Sequence, residues 1–227
     1  MSISKFFWHL FIFLLYFAAG LLLVFFYFRN SLFLSSQKQT SLLQQISIKP
    51  QFSLENAPTD SLRGAIVTLS GQVFWKSRTA SESAQIFQPQ QVQQGEAVET
   101  KKEGFANIEI AEGLIILMSQ NSMLDFIQTL KTNFLLQQNF GAISYVKSNY
   151  IPLTIRIDNL IIKLGSGELN AVSDINGTQI TLELARGRAT LAYNDNNFVT
   201  QIVEMADQET IVFDKEEKTI KRKSSGK

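Results

Sequence analysis

The sequence predicts an all-β domain, either a two-layer sandwich or jelly roll or a β-solenoid-like stack, preceded by one N-terminal transmembrane α-helix. Two observations predict this class. An uncharged apolar run fills residues 6–28, and beyond residue 62 apolar and polar residues alternate in short runs separated by turn signals. Many short strands at a spacing of about 8 to 12 residues are typical of these β architectures.

The first element is the apolar run, which reads FFWHLFIFLLYFAAGLLLVFFYF between Lys5 and Arg29. As a helix it is about 35 Å long, enough to cross a hydrocarbon core of about 30 Å. A cleaved signal peptide is the alternative, but the small residues that a cleavage site needs lie in the middle of the run. We therefore expect an uncleaved membrane anchor at residues 6–28. We expect His9, the one histidine of the chain, to be neutral and close to the interface.

The segments on both sides of the anchor are predicted to be unstructured or polar. Residues 1–5 would form a short cytoplasmic tail. Residues 29–61 are rich in Ser, Gln and Thr and predict a polar stalk, with partner-helix contacts as the alternative. The basic residues that flank the anchor do not by themselves favour an external C-terminal domain. Residues 215–227 end in KRKSSGK and predict a basic, disordered tail, with attraction to an anionic surface as the alternative.

The β domain is expected at residues 62–214, with turn signals between the strands. Ser70-Gly71 predicts a hairpin or a bulge between the first two strands, and a helix competes with a strand at residues 122–136. The glycines Gly141 and Gly187 open two similar alternating segments, a weak internal repeat. We predict strands at residues 65–69, 72–75, 84–87, 97–100, 106–110, 114–118, 123–127, 142–146, 153–157, 160–164, 168–172, 179–184, 189–193, 198–203 and 210–213.

Composition excludes several classes of site. The 227 residues contain no Cys, so thiol catalysis, disulfides and Cys-ligated metals are excluded. A formal net charge of +1 argues against a dedicated nucleic-acid binder, which usually carries a basic excess.

Four patterns each carry a functional and a structural interpretation. An Asx-rich run at Asp195 is compatible with Ca²⁺ but is typical of a turn, and Asn176 matches a glycosylation acceptor but also a hairpin turn. Gly165-Ser166-Gly167 lacks the Lys-Ser/Thr of a phosphate loop and predicts a tight turn. Nothing in the sequence brings two acidic residues to the separation that glycoside hydrolysis needs; the carboxylates considered are Asp158, Glu168, Asp174 and Glu183. We therefore expect no enzyme, no catalytic, cofactor-binding or metal-binding residues, and no cofactor.

A series of motifs in the β region resembles the FecR domain, named after the iron-dicitrate signal transducer. Gly71-Gln72-Val73 opens it, and QGEAVET at 94–100 resembles the family's G-D-x-V-x-T turn and strand. ANIEIAEG at 106–113, followed by IILMSQNSML at 115–124, is similar to its A-x-L-x-L-x-D-G-S, x-L, x-x-N-S-x-L core. The later segments follow in the family's order: Gly141 with its strand, 153–155, 187–191 and 203–213.

The resemblance covers about residues 64–214 and implies an all-β domain outside the cytoplasmic membrane, tethered by one N-terminal helix. Family transducers also carry a cytoplasmic sigma-factor-binding segment, for which residues 1–5 leave no room. We therefore expect a non-enzymatic, single-pass membrane protein that acts as a binding, scaffolding or sensing module for an envelope protein or polysaccharide, not for nucleic acid. The alternative is an envelope lipid-handling jelly roll with an apolar trough, which would need an open cleft lined by Ile, Leu and Phe.

Overall fold

The computed structural model describes residue 22 and residues 57–110, 113–148 and 150–224. The chain divides at residue 52, and all of these residues except Leu22 belong to the C-terminal unit, Ser53–Lys227. The predicted tail at 1–5, the anchor at 6–28 and most of the stalk therefore lie outside the described residues, apart from Leu22. Among the residues described, no helix is long and apolar enough to span a membrane.

The C-terminal unit is all-β, which confirms the all-β part of the predicted class. Its described residues form fifteen strands and no helix. In chain order they are β1 (Gly64–Ser70), β2 (Val73–Lys76), β3 (Ala84–Ile86), β4 (Gln90–Val92), β5 (Ala97–Thr100), β6 (Phe105–Ile110), β7 (Leu114–Met118), β8 (Ser122–Leu130), β9 (Asn133–Lys147), β10 (Leu153–Ile157), β11 (Leu160–Ser173), β12 (Gln179–Asn194), β13 (Thr200–Met205), β14 (Glu209–Asp214) and β15 (Thr219–Ser224).

The strands form one open sheet that bends along its three longest members, β9, β11 and β12. Each of these pairs with one set of neighbours through its first half and with another through its second half. This creates two arms. Arm I runs β3, β2, β5, β8, β9, β10, β11, β12, β13, and arm II runs β4, β1, β6, β7, β9, β11, β12, β14, β15. All pairings are antiparallel except that between β9 and β10.

Glycines stand where the long strands pass from one arm to the other. Gly141 in β9 has a φ of 96°, and the register places Gly167 of β11 directly opposite Gly187 of β12, with φ values of 131° and 102°. A Cβ on Gly187 would lie 1.8 Å from the Ser166 carbonyl oxygen. Side chains are therefore excluded at these corners, and the weak repeat of Gly141 and Gly187 reflects a shared role as corners.

The inner faces of the two arms form the hydrophobic core. Alternate residues point inward along each strand, as in β10, where Leu153, Ile155 and Ile157 are buried. The two arms meet in an edge-to-face contact between Tyr193 of β12 and Phe213 of β14, with ring centroids 5.1 Å apart. The largest fully buried side chains include Tyr145, Phe126, Phe134, Phe213, Ile108, Met118 and Leu136.

Gln138 is one of the polar side chains that lie fully buried in the described part of the domain, with Thr100 and Ser122. Gln138 of β9 donates from Nε2 to the carbonyl oxygens of Gly141 (2.8 Å) and Ala171 (3.1 Å), and its Oε1 accepts the Tyr145 hydroxyl at 3.0 Å. Burial raises the pKa of Tyr145 well above its usual value, so the hydroxyl keeps its proton and donates. The Gln138 amide thereby joins the two arms next to the Gly141 corner.

Two local expectations are wrong, and one alternative that the sequence left open is resolved. Ser70-Gly71 does not close a hairpin, because β1 pairs with β4 and β6 while β2 pairs with β3 and β5; the chain instead changes arms there. At residues 122–136 the strand alternative is confirmed, because the segment contains β8 and the start of β9, and β8 includes the strand predicted at 123–127. The tail expected to be disordered contains β15, which pairs with β14 along its whole length, because Ile220 packs on the core while the basic residues face solvent.

Candidate functional site

The outer face of arm I carries one row of residues that lie directly opposite one another on eight strands. Neighbouring strands are about 4.8 Å apart, so the row is about 34 Å long. We call it the cross-strand row. It consists of Lys76, Ala97, Asp125, Gln137, Arg156, Ile161, Ala192 and Ile202 on β2, β5, β8, β9, β10, β11, β12 and β13.

The central part of the row is a chain of side-chain hydrogen bonds. The guanidinium of Arg156 donates to Oε1 of Gln137, whose Nε2 donates to Oδ1 of Asn139 at 2.9 Å. Asn139 in turn donates to the Asp125 carboxylate at 2.9 Å. These planar groups hold one another in place across three strands, and Arg156 is exposed. The result is a rigid polar surface that presents donors and acceptors to solvent.

A shallow cleft lies beside each half of the row. The first, about 400 Å³, is lined by residues that include Phe74, Lys76, Glu82 and Glu99. The second, about 500 Å³, is lined by residues that include Thr154, Lys163, Arg188 and Glu204. Both clefts mix acidic and basic side chains, and the register places Thr154, Lys163 and Glu204 on the same face as the row. The polar surface therefore continues beyond the row on both sides.

The interior offers no comparable space. The inward Ile, Leu and Phe side chains of β6 to β14 are at most 3% exposed. An open trough lined by these residues, which a lipid conduit would need, is absent from the described part of the chain. The core is filled, and the surfaces available for a ligand are the outer faces and the edges.

Among the described residues, one acidic and one basic side chain, Glu96 and Lys147, are buried as parts of the scaffold. The Glu96 carboxylate accepts the Trp75 indole N–H (3.0 Å) and the Gln93 backbone N–H (2.8 Å). The Lys147 amine donates to the Gly165 carbonyl oxygen, and burial lowers its pKa from the usual value. Each satisfies backbone or side-chain groups where the chain turns between the arms, which accounts for both without a ligand.

The residues weighed as alternative sites belong to turns and strand faces. The Asp195 carboxylate accepts the backbone N–H groups of Asn197 (2.9 Å) and Val199 (3.0 Å), and these bonds, that of Val199 above all, lower its pKa. Asp195 thus closes the β12–β13 turn. No group of three or more residues that could bind a metal ion occurs among the residues described. Asn176-Gly177 lies in the β11–β12 connection, as the hairpin interpretation predicts.

The four carboxylates considered as a glycosidase pair lie in turns and on strand faces. Asp158 lies in the β10–β11 turn and Asp174 in the β11–β12 connection, whereas Glu168 and Glu183 lie on strand faces. Glu168 forms an ion pair with Arg186 at 3.5 Å. Gly165-Ser166-Gly167 is the bend of β11, at the corner between the arms.

Sequence reasoning did not find the cross-strand row. Asp and Asn are weak strand formers. Asp125 falls in the segment 122–136 where helix and strand competed, and Gln137 and Asn139 lie just beyond it, where the sequence predicts no strand. Their only signal is the alternation with Leu124, Phe126 and Leu136, which places them on the opposite face from the core.

Comparisons with known proteins give few relatives. No family model matches the chain, and no curated protein matches it. Two crystal structures of a protein described as a "putative anti-sigma factor" from Parabacteroides distasonis ATCC 8503 are similar at a TM-score of 0.49, with 11% and 10% sequence identity. Each match covers 56% of this chain and spans 59% of the length of that protein.

Proposed function

We propose that this protein is a non-enzymatic, FecR-like binding module of the cell envelope, a two-layer β sandwich anchored by residues 6–28 and exposed outside the cytoplasm. The observation that carries the proposal is the hydrogen-bonded part of the cross-strand row, Asp125, Gln137 and Arg156, which we call the polar row. It lies on the outer face of a filled core. A rigid, polar and solvent-facing surface of this kind suits recognition of a ligand rich in hydroxyl and charged groups. A polysaccharide of the envelope fits that description, and no reaction is required of the site.

The electrostatics of the face support a polar ligand. Arg156 offers a guanidinium whose orientation is fixed by Gln137, and Lys163 and Arg188 add positive charge beside Glu204 in the second cleft. Planar amide and guanidinium groups pre-aligned by their neighbours lose little rotamer entropy when they bind. The ordered sequence of FecR-like motifs in residues 64–214 supports the assignment to an envelope sensing or scaffolding domain.

The proposal is tested by binding of the full chain, in detergent micelles, to isolated envelope polysaccharide in a co-sedimentation assay. Arg156→Ala removes a charge-assisted contact, which is worth about 1.5–3 kcal/mol, so affinity should fall about tenfold or more. Lys102→Ala is the matched control, because it removes the same charge from an exposed position in the β5–β6 turn. Equal affinities of the two variants would contradict a role for the polar row.

Two further measurements test the remaining parts of the proposal. Protease accessibility of residues 62–214 in cells whose outer layer has been opened should be high, and full protection would contradict the external location. Photolabelling with an acyl-chain probe addresses the lipid-handling alternative. Labels should not accumulate on inward residues such as Ile155 or Leu182. Strong labelling there would contradict the binding module and favour the lipid-handling alternative.

A further inference from the structure

Among the described residues the open sheet has four edge strands, and three of them are protected against pairing with another chain. The edges β3 and β4 have three residues each, and Pro89 precedes β4. The edge β15 carries Lys221, Arg222 and Lys223 in succession. Short length, proline and clustered positive charge are the usual means by which proteins block edge pairing.

The fourth edge, β13, has none of these protections. Its six residues read TQIVEM, without Lys, Arg or Pro, and Ile202 at its centre is 69% exposed. The Asp195 N–H donates to the Val199 carbonyl at 3.0 Å, which starts the β12–β13 ladder. Because the ladder alternates, Gln201 and Val203 bond to β12, and the backbone groups of Thr200, Ile202 and Glu204 point away from the sheet. The Glu204 carbonyl accordingly accepts Arg222 Nη2 of β15, at 3.1 Å.

An apolar strip ends abruptly at this edge. Ile161 of β11, which is 42% exposed, lies opposite Ala192 of β12, and Ala192 lies opposite Ile202. This is the outer half of the cross-strand row. No strand of the described residues pairs with β13 on the far side of Ile202, so within this part of the chain the strip ends at its most exposed residue.

We infer that the strip is completed by β13 of a second copy of this chain, paired antiparallel about a two-fold axis at Ile202. In this register Ile202 faces Ile202 of the other copy, and the strip becomes Ile161, Ala192, Ile202 and their three equivalents. Thr200 then faces Glu204 of the other copy, so no like charges oppose each other. The Glu204 carbonyl has a second lone pair and accepts the new N–H while keeping Arg222.

The neighbouring two-fold registers are less favourable. An axis at Val203 would place Ile202 against the Glu204 carboxylate, and an axis at Gln201 would place it against the Thr200 hydroxyl. Only the register centred on Ile202 places an apolar side chain opposite another apolar side chain on the outer face. A single strand pair is a small interface, so the dimer is expected to be weak and concentration-dependent. The inference rests on the edge alone and is independent of any ligand on the polar row.

Cysteine crosslinking tests this register directly, since the natural chain contains no Cys. Directly opposed residues of such a pair have Cα atoms about 5.5 Å apart, within the range of a disulfide. Full-length Ile202→Cys, oxidised in lipid vesicles, should form at least about five times more covalent dimer than Val172→Cys. Val172 is a matched control because it is 47% exposed on the outer face of arm II.

Two more variants fix the register. Thr200→Cys and Glu204→Cys each place their own thiols about 14 Å apart, so neither should crosslink alone, whereas a mixture of the two proteins should give a hybrid dimer. Ile202→Lys should abolish dimer formation measured by sedimentation without changing the β-sheet circular dichroism. Crosslinking of Ile202→Cys no greater than that of Val172→Cys, or a mixture that yields no more than its components, would overturn the inference. Neither result bears on polysaccharide binding.

Discussion

The buried amide of Gln138 allows a quantitative test of what joins the two arms. Gln138→Met keeps the length of the side chain and removes all of its hydrogen-bonding atoms. The Tyr145 hydroxyl and the carbonyl oxygens of Gly141 and Ala171 then lose a partner in the core. Ala171 is paired with both β9 and β12, so its carbonyl keeps a ladder partner, whereas the Tyr145 hydroxyl loses its partner. A buried polar group left without a partner costs about 1–3 kcal/mol, and the free energy of unfolding should fall by about that amount.

Urea unfolding of the full chain in micelles, followed by circular dichroism of the β-sheet, measures this change. Gln137→Met is the matched control, because the adjacent side chain points to the outer face and its loss should cost less than about 1 kcal/mol. In a double-mutant cycle, Gln138→Met and Tyr145→Phe should couple by about 1 kcal/mol or more, since each single change leaves the other group without its partner. Similar losses for Gln137→Met and Gln138→Met would refute the structural role of the amide.

Two further predictions concern the corners. Gly187→Ala should destabilise the domain by at least about 2 kcal/mol, because of the positive φ and the nearby Ser166 carbonyl. Gly165→Ala should cost far less, because a Cβ there would lie 3.1 Å from its nearest atom, the Arg188 carbonyl oxygen. Equal losses of stability in thermal unfolding would contradict this. For Lys147, burial lowers the folded-state pKa, so the unfolded chain binds more protons and stability rises as pH approaches 10.5. The stability of the natural protein relative to Lys147→Met should therefore increase between about pH 7 and about pH 10, and a constant or falling difference would disprove it.

Much of the strand order follows from local sequence, because alternation is reliable where one face is buried. The predicted bounds of β5, β7 and β10 coincide with the observed ones. Apolar residues occupy the inward positions of β7 and β10, and Val98 and the small, hydrogen-bonded Thr100 occupy those of β5. Flanking glycine, turn or proline residues mark the ends of these strands. The sequence of such a strand records its own burial pattern.

The incorrect predictions lie in segments whose structure depends on partners that are far away in the sequence. The segment NFLLQQNF became the first half of β9 only because Tyr145 and two carbonyl groups satisfy Gln138 within the core. The basic residues of β15 gave no strand signal, yet pairing with β14 and packing of Ile220 order them. Likewise the sequence predicts β11 and β12 each as two separate strands, because the local pattern of apolar residues cannot distinguish a turn from a corner within one strand.

The passage of three strands through both arms has a mechanical consequence. The arms are not two shells joined by a hinge: separating them would strip hydrogen bonds from β9, β11 and β12 at the same time. A force applied to the outer face of arm I is carried into arm II by unbroken covalent backbone. The domain should therefore respond to a load by moving as one stiff body, and a displacement at Arg156 would reach β14 without first opening the space between the arms.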